Sequence, residues 1–235
     1  MLIPIRDHNP TRRFPVVTVG IIAVNIIVFI MQVNNPDITR TYSAIPAELT
    51  GTELPFFVKM RMVEAGIRTE PIVSPFLTIF TSMFLHGGFL HILFNMWSLW
   101  IFGNNVEDRL GHFRYLLLYL IWGFVAVWAH VLFNWGSPIP LVGASGAIAG
   151  VMGAYLLLFP HARLDCVLFF FIITFVEVPA IFFLVLWFIS QFFFASPGVA
   201  YLAHIGGFVA GVATIKLLGI RPQPLPNRWY DDDDY

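Results

Sequence analysis

The sequence predicts an all-α polytopic membrane protein built as a bundle of six transmembrane helices, and three observations carry that expectation. Hydrophobic residues make up 58% of the 235-residue chain and charged residues 11%, against about 45–50% and about 25% in soluble domains. Mean hydropathy is +0.78. Apolar runs near the ~20 residues needed to cross a bilayer recur along the chain, separated by polar or proline- and glycine-containing breaks. The formal net charge of −1 says nothing about partners, and no basic patch suggests nucleic acid. The single cysteine, Cys166, allows no internal disulfide and fits no metal-ligand spacing.

Residues 1–14 are polar and contain Arg6, Arg12 and Arg13. Residues 15–33 form span one, too long for the apolar part of a cleaved signal and followed by no small-residue cleavage site, so it is expected to stay in place. Residues 34–82 form a long first outer loop of mixed charge. Within it, 54–63 is apolar with Lys59 and Arg61 and is expected to be a short helix lying in the membrane interface. So long a connection is expected to scaffold or to function. Span two, 83–102, ends at the polar run Gly103-Asn-Asn-Val-Glu-Asp-Arg109, and span three, 113–135, has Trp128 and Trp135 as interface anchors. Span four, 145–159, is stopped by Pro160. The next apolar tract is broken by Glu177 and Pro179. Residues 164–176 are expected to be a membrane-hugging loop, 178–194 span five, 195–199 a tight turn and 200–218 span six. The aspartates at 231–234 read as a solvated tail. The whole chain, 1–235, is expected to form one membrane domain.

Lysine and arginine set the orientation. With both termini inside, the inner segments hold Arg6, Arg12, Arg13, Arg109, Arg114, Arg163, Lys216, Arg221 and Arg228, nine of the thirteen basic residues. The other four lie in the long first loop. Cytoplasmic termini are therefore expected.

Spans two, four and six run in the same direction, and each has unusual polar residues in its N-terminal half. Span four is roughly 21 Å long at 1.5 Å per residue, shorter than a hydrocarbon core of about 30 Å, so Ser145 at its start lies below the outer face. His204 precedes the interfacial Lys216 by 12 residues, and His91 precedes Gly103 by 12. The three side chains are thus expected at one depth, with Asn95 one turn below His91 on the same face. Small residues stripe span four at Gly146, Gly150 and Ala154 and span six at Ala203, Gly207 and Gly211, so the two helices are expected to touch. That brings Ser145 within reach of His204.

A serine hydroxyl becomes a useful nucleophile when a neighbouring base takes its proton, and histidine is the usual base. A helix start offers free N–H groups to a developing oxyanion, and His91 and Asn95 add side-chain donors. No intramembrane aspartate lies at this depth to orient His204, so a dyad is expected rather than a triad. Gly143-Ala-Ser-Gly-Ala147 departs from the G-x-S-x-G elbow of soluble hydrolases at its last position. Other readings compete. Gly-Ala-Ser-Gly alone is a common packing motif, and a lone membrane histidine is usually a structural hydrogen-bonder. Metal binding by His86, His91 and His204 is disfavoured because His86 and His91, five apart on a helix, would point their rings apart. His8, His112, His130 and His161 read as structural or interfacial. A transporter with a midplane site would be expected to show paired intramembrane charges or a repeat, and neither is visible.

Three motifs in register resemble the rhomboid family of intramembrane serine proteases: Gly143-Ala-Ser-Gly146, Ala203-His-Ile-Gly-Gly207 with Gly211, and His86-Gly-Gly-Phe-Leu-His91-Ile-Leu-Phe-Asn95. Gly103-Asn-Asn-Val-Glu-Asp-Arg-Leu-Gly111 also resembles the segment after span two in many bacterial members. The resemblance covers most of residues 81–211. It implies a six-helix rhomboid-like bundle, Ser145 as nucleophile, His204 as general base, and an oxyanion site of His91, Asn95 and the Ser145 backbone N–H. Gly143, Gly146, Gly207, Gly211 and His86 would support that site. It implies no cofactor and no metal. Substrates would be transmembrane segments of other membrane proteins, entering beside span five under a cap that includes residues 196–198, and the location a bacterial-type inner membrane. A catalytically silent relative that binds transmembrane clients is the alternative, and such relatives typically lack the serine or the histidine. The Trp-Arg pair often seen in the family's first outer loop is absent from 34–82.

Overall fold

A computed structural model describes residues 2–169, 173–193 and 198–222. The turn expected at 195–199 falls mostly outside these, as do the aspartates at 231–234.

The first long helix, α1 (Val16–Asn34), buries Thr18, Ile21, Asn25 and Gln32 on one stripe and exposes Ile26, Ile27, Ile30 and Met31. Polar groups inward and apolar groups outward is the reverse of a soluble amphipathic helix and is what lipid surroundings select. Among the described residues, two helices are long and apolar enough to cross a membrane by length and composition, α1 and His112–Phe133. Pro75–Phe84 and Phe89–Leu110, which meet at an 81° bend, make a third if taken together. The remaining apolar helices are shorter.

Between these elements the first loop is ordered by four short helices, α2 (Asp37–Tyr42), α3 (Pro46–Leu49), α4 (Phe56–Glu64) and α5 (Pro75–Thr81), followed by a 3-10 turn at Ser82–Phe84. The expected short helix is α4, with Phe56, Phe57, Met60 and Val63 exposed. What holds this loop is the buried Arg68 side chain. It meets Glu48 through both carboxylate oxygens (2.8 and 2.5 Å) and donates to the carbonyls of Arg40, Thr41 (2.7 Å) and Ser43 (2.9 Å). Two-pronged pairing with extra acceptors is the arrangement that lets such a pair be buried. Ala44 then bridges Leu141 antiparallel, so the loop braces the segment leading into Ser145.

Span two differs from the expectation of 83–102. The helix is α6 (Phe89–Leu110), starting six residues later and running through the polar stretch 103–109. Its two carboxylates are taken up by the N-terminal segment. Glu107 accepts from the Val17 and Thr18 N–H groups (2.8 and 2.7 Å) and the Thr18 hydroxyl (2.7 Å), and Asp108 accepts from the Arg12 and Arg13 N–H groups (both 3.1 Å). A carboxylate on the free N–H groups of a helix start satisfies donors that have no intrahelical partner and favours the local dipole. His112 Nδ1 sits 2.5 Å from Glu107. Gly111, at φ 80°, ends α6 and leads directly into α7 (His112–Phe133).

Helix α8 (Ser145–Leu158) is the centre of the bundle, buried along nearly its whole length, with α6, α7 and α10 (Tyr201–Leu217) packed around it. Helix α9 (Ala180–Phe193) lies outside, burying Ala180, Phe183 and Leu184.

The all-α expectation is corrected by a three-stranded antiparallel sheet in the order β1 (Leu2–Asp7), β2 (Arg163–Phe169), β3 (Ile173–Pro179). The tract expected as a membrane-hugging loop, 164–176, is most of the β2–β3 hairpin. Its alternating β3 pattern (Ile173, Phe175 and Glu177 out) fits a half-covered strand. The N-terminal segment supplies the third strand, with Asp165 held by Arg6 (2.9 Å) and His8 (2.7 Å) and Glu177 pairing with Arg163 (3.1 Å).

Candidate active site

Ser145 is the first residue of α8, preceded by Gly143 at φ 131°. The Gly143 N–H donates to the Ser82 carbonyl (2.9 Å), which sets the approach of the chain to the helix. The face that Ser145 begins is pressed against α10. A Cβ added to Gly207 would lie 2.0 Å from the Gly146 carbonyl oxygen, and one added to Gly211 would lie 2.0 Å from that of Gly150. Only glycine permits this backbone contact. Helix α7 closes the opposite side, with Trp122 against Gly150 and its indole N–H donating to Thr214 of α10 (3.1 Å).

That seam puts Ser145 Oγ 2.8 Å from His204 Nε2. On the other side of the imidazole, His204 Nδ1 lies 2.8 Å from Gln191 Oε1 of α9. Trp187 packs beside the ring at 5.9 Å between centroids, and Tyr201 meets it edge-on at 6.3 Å.

His91 approaches from α6. Its Nδ1 accepts the Gly87 N–H (3.3 Å), which leaves the proton on Nε2. A Cβ at Gly143 would sit 3.0 Å from His91 Nε2 and 3.5 Å from Ser145 Oγ, so the bare glycine keeps open the space between that donor and the hydroxyl. Asn95, one turn along, is buried, and its Nδ2 has no partner among the described residues. A buried donor without a partner costs about 1–3 kcal/mol, and such groups gather where a ligand is to be received.

His86 departs from expectation. It lies in the turn before α6, not on a helix with His91, because Gly87 and Gly88 separate the two. Their rings consequently meet edge to face at 5.1 Å instead of pointing apart. The His86 N–H donates to Gln32 Oε1 (3.0 Å) and its carbonyl accepts from Gln32 Nε2 (3.2 Å). Both ring nitrogens are buried without partners among the described residues.

The residue that sequence reasoning passes over is Gln191. Its signal is an amide, beside Ser190, in the largely apolar helix Ala180–Phe193, where a polar side chain is costly and tends to face inward.

A profile of the rhomboid domain matches residues 74–221, which includes His86, His91, Asn95, Ser145, Gln191 and His204. The chain belongs to the rhomboid family. Among similar proteins, RHOMBOID-like protein 6, mitochondrial, of Arabidopsis thaliana is 34% identical over 152 residues, covering 62% of this chain and 44% of that protein. Rhomboid protease GluP of Bacillus subtilis is 34% identical over 143 residues, 60% of this chain and 26% of GluP. Rhomboid protein 1, mitochondrial, of Saccharomyces cerevisiae is 32% identical over 144 residues, 60% and 41% respectively. The chain thus spans less than half the length of these relatives. With its apolar helices, this is an integral membrane protein; the rhomboid domain begins at Ser74, one residue before α5, and ends after α10, so the N-terminal strand, α1 and most of the first loop lie ahead of the matched region.

Proposed function

We propose that this protein is an intramembrane serine endopeptidase that cleaves transmembrane segments of other membrane proteins. The observation that carries the reading is the 2.8 Å contact between Ser145 Oγ and His204 Nε2 across the glycine seam. Such a pair within hydrogen-bond reach is the arrangement a nucleophile and base need. Ser145 Oγ attacks the scissile carbonyl carbon while its proton passes to His204 Nε2. The carbonyl oxygen becomes an oxyanion between the Asn95 amide, the His91 Nε2–H and the Ser145 backbone N–H. The C–N bond then breaks as the leaving amine takes the proton from His204. Water, deprotonated by the same nitrogen, releases the acyl group from Ser145. Each oxyanion donor is worth roughly 10²–10³ in rate where such donors have been removed. The apolar, lipid-selected surfaces of the surrounding helices favour a membrane-embedded substrate over a soluble one.

The bundle is read as six spans, α1, α5–α6, α7, α8, α9 and α10, in one domain with both termini inside. The brevity of α8, 14 residues, leaves the Ser145 end below the membrane surface. No cofactor enters the scheme.

Ser145→Ala and His204→Ala are each expected to abolish cleavage of a co-reconstituted single-span substrate while the protein keeps its melting behaviour. A fluorophosphonate should label the wild type and not Ser145→Ala. Full cleavage by either variant would sink the reading, and absence of cleavage and labelling in the wild type would favour a silent client-binding relative.

A further inference from the structure

Only Nε2 of His204 faces Ser145; what Nδ1 does decides whether Nε2 can act. A neutral imidazole carries one proton, and a free histidine side chain favours placing it on Nε2. In that tautomer an N–H points at Ser145 Oγ and cannot accept its proton. The base must therefore carry its proton on Nδ1, which requires an acceptor there.

Gln191 supplies one, and its orientation is set by its own helix. Gln191 Nε2 lies 3.1 Å from the Trp187 carbonyl oxygen, which can only accept. It also lies 3.1 Å from Ser190 Oγ, whose own proton is directed to the same Trp187 carbonyl at 2.5 Å. Both neighbours call for the NH2 group. Rotating the amide by 180° would set its oxygen against a carbonyl oxygen. Oε1 is thus the atom presented to His204 Nδ1 at 2.8 Å, and the network has one consistent direction: Ser145 O–H to Nε2, Nδ1–H to Gln191 Oε1, Gln191 N–H to the α9 backbone.

We propose that Gln191 is a positioning residue that sets the tautomer of His204, acting through a side chain anchored to the backbone of α9. This rests on the reading of Ser145 and His204 as nucleophile and base. The same bond persists when the imidazolium forms, since Nδ1–H already points at an acceptor and nothing need reorganise. The two histidines of the site are then held in opposite tautomers, His91 by the Gly87 N–H as an Nε2 donor and His204 by Gln191 as an Nε2 acceptor.

The test uses the full chain in bilayers. Gln191→Met keeps the length of the side chain and removes the acceptor; kcat is expected to fall about 10- to 100-fold with KM unchanged, less than the roughly 10²–10⁴-fold that general-base assistance provides in full, because His204 itself remains. Independently of any change at Gln191, 15N spectra of histidine-labelled protein at pH 8 should show the His204 proton on Nδ1, the signal being assigned by its loss in His204→Ala. An unchanged kcat in Gln191→Met, or a wild-type His204 proton on Nε2, overturns the proposal. Should Gln191→Met not fold, the spectrum of the wild type alone decides. Ser145→Ala run alongside separates the two levels. If it still cleaves, the dyad reading itself fails; if it is dead while Gln191→Met is fully active, only the role of Gln191 falls.

Discussion

The α8–α10 seam and the C-terminal half of α9 hold the same imidazole from opposite sides, and they do so with different physics. At the seam the contact is backbone on backbone: Gly146 and Gly150 present carbonyls to Gly207 and Gly211 with no side chain between. At α9 the contact is made by side chains, through the Gln191 amide, the Trp187 ring, and a stack of Phe188 on Phe208 at 4.6 Å. Much of the remaining outer surface of α9, including Ile189, Phe192 and Phe193, is exposed. A backbone contact cannot adjust without moving a helix, whereas a side-chain contact can re-form in another rotamer. The Ser145–His204 distance is therefore assigned to the rigid side and the ring's protonation pattern to the adjustable one.

The largest effect should come from breaking the rigid side. In Gly207→Ala the new Cβ would fall 2.0 Å from the Gly146 oxygen, well inside contact, so α8 and α10 must separate. Overpacking of this kind costs about 1–3 kcal/mol, and a displacement near 1 Å at reacting groups costs on the order of 100-fold in rate. Both a lower melting temperature and a near-complete loss of cleavage are expected. Retention of wild-type activity would show that the seam does not set the Ser145–His204 distance.

Loosening the adjustable side should do less. Phe188→Ala removes the stack on Phe208, and in lipid such a contact contributes packing more than solvent exclusion. A loss of about 1 kcal/mol is expected, the scale of an aromatic pair, with a smaller drop in kcat than Gly207→Ala and an intact fluorophosphonate reaction. A penalty in Phe188→Ala equal to that of Gly207→Ala would erase the distinction between the two sides.

The same contrast explains what could be read from the chain. Helices α1, α7, α8, α9 and α10 follow from apolar runs with clear stops, and Ser145 and His204 follow from small-residue stripes with a depth constraint. Those signals are local or periodic. The hairpin at 163–179 was not legible, because an apolar run of that length is ambiguous between strand and loop, and its pairing partner lies about 160 residues upstream at Leu2–Asp7. The polar run 103–109 reads as a loop until Val17, Thr18, Arg12 and Arg13 are seen to use its carboxylates. The placing of His86 escapes the sequence for a similar reason: the two glycines that break the helix are visible, but the direction in which the chain turns is not. Gln191 shows the limit most plainly. An amide in a span advertises that it needs a partner without naming which one.

The smallest effect concerns the far end of α8, where the anchor is again made of side chains, this time with a titratable group. Tyr155, in the last turn of α8, donates to Asp7 Oδ2 (2.9 Å), Asn105 donates to the same oxygen (2.5 Å), and Asn9 donates to the Tyr155 hydroxyl (2.8 Å). Burial raises the Asp7 carboxyl from 3.8 to about 6, more than these hydrogen bonds lower it. The folded state therefore holds the proton to a higher pH than the unfolded chain does. Stability falls as pH rises wherever the folded state binds more protons, so this group should make the protein progressively less stable between about pH 4 and pH 6 and contribute a constant penalty above. Asp7→Asn keeps an acceptor for Tyr155 and Asn105 but cannot ionise. It is expected to remove that part of the pH dependence and to raise the melting temperature slightly at pH 7, with little change in cleavage, since the Ser145 end of α8 is fixed by the seam. Parallel stability–pH curves for wild type and Asp7→Asn between pH 4 and 6 would show that Asp7 is not the group. A large loss of activity in Asp7→Asn would show that the Tyr155 anchor, and not the glycine contact, sets where α8 sits.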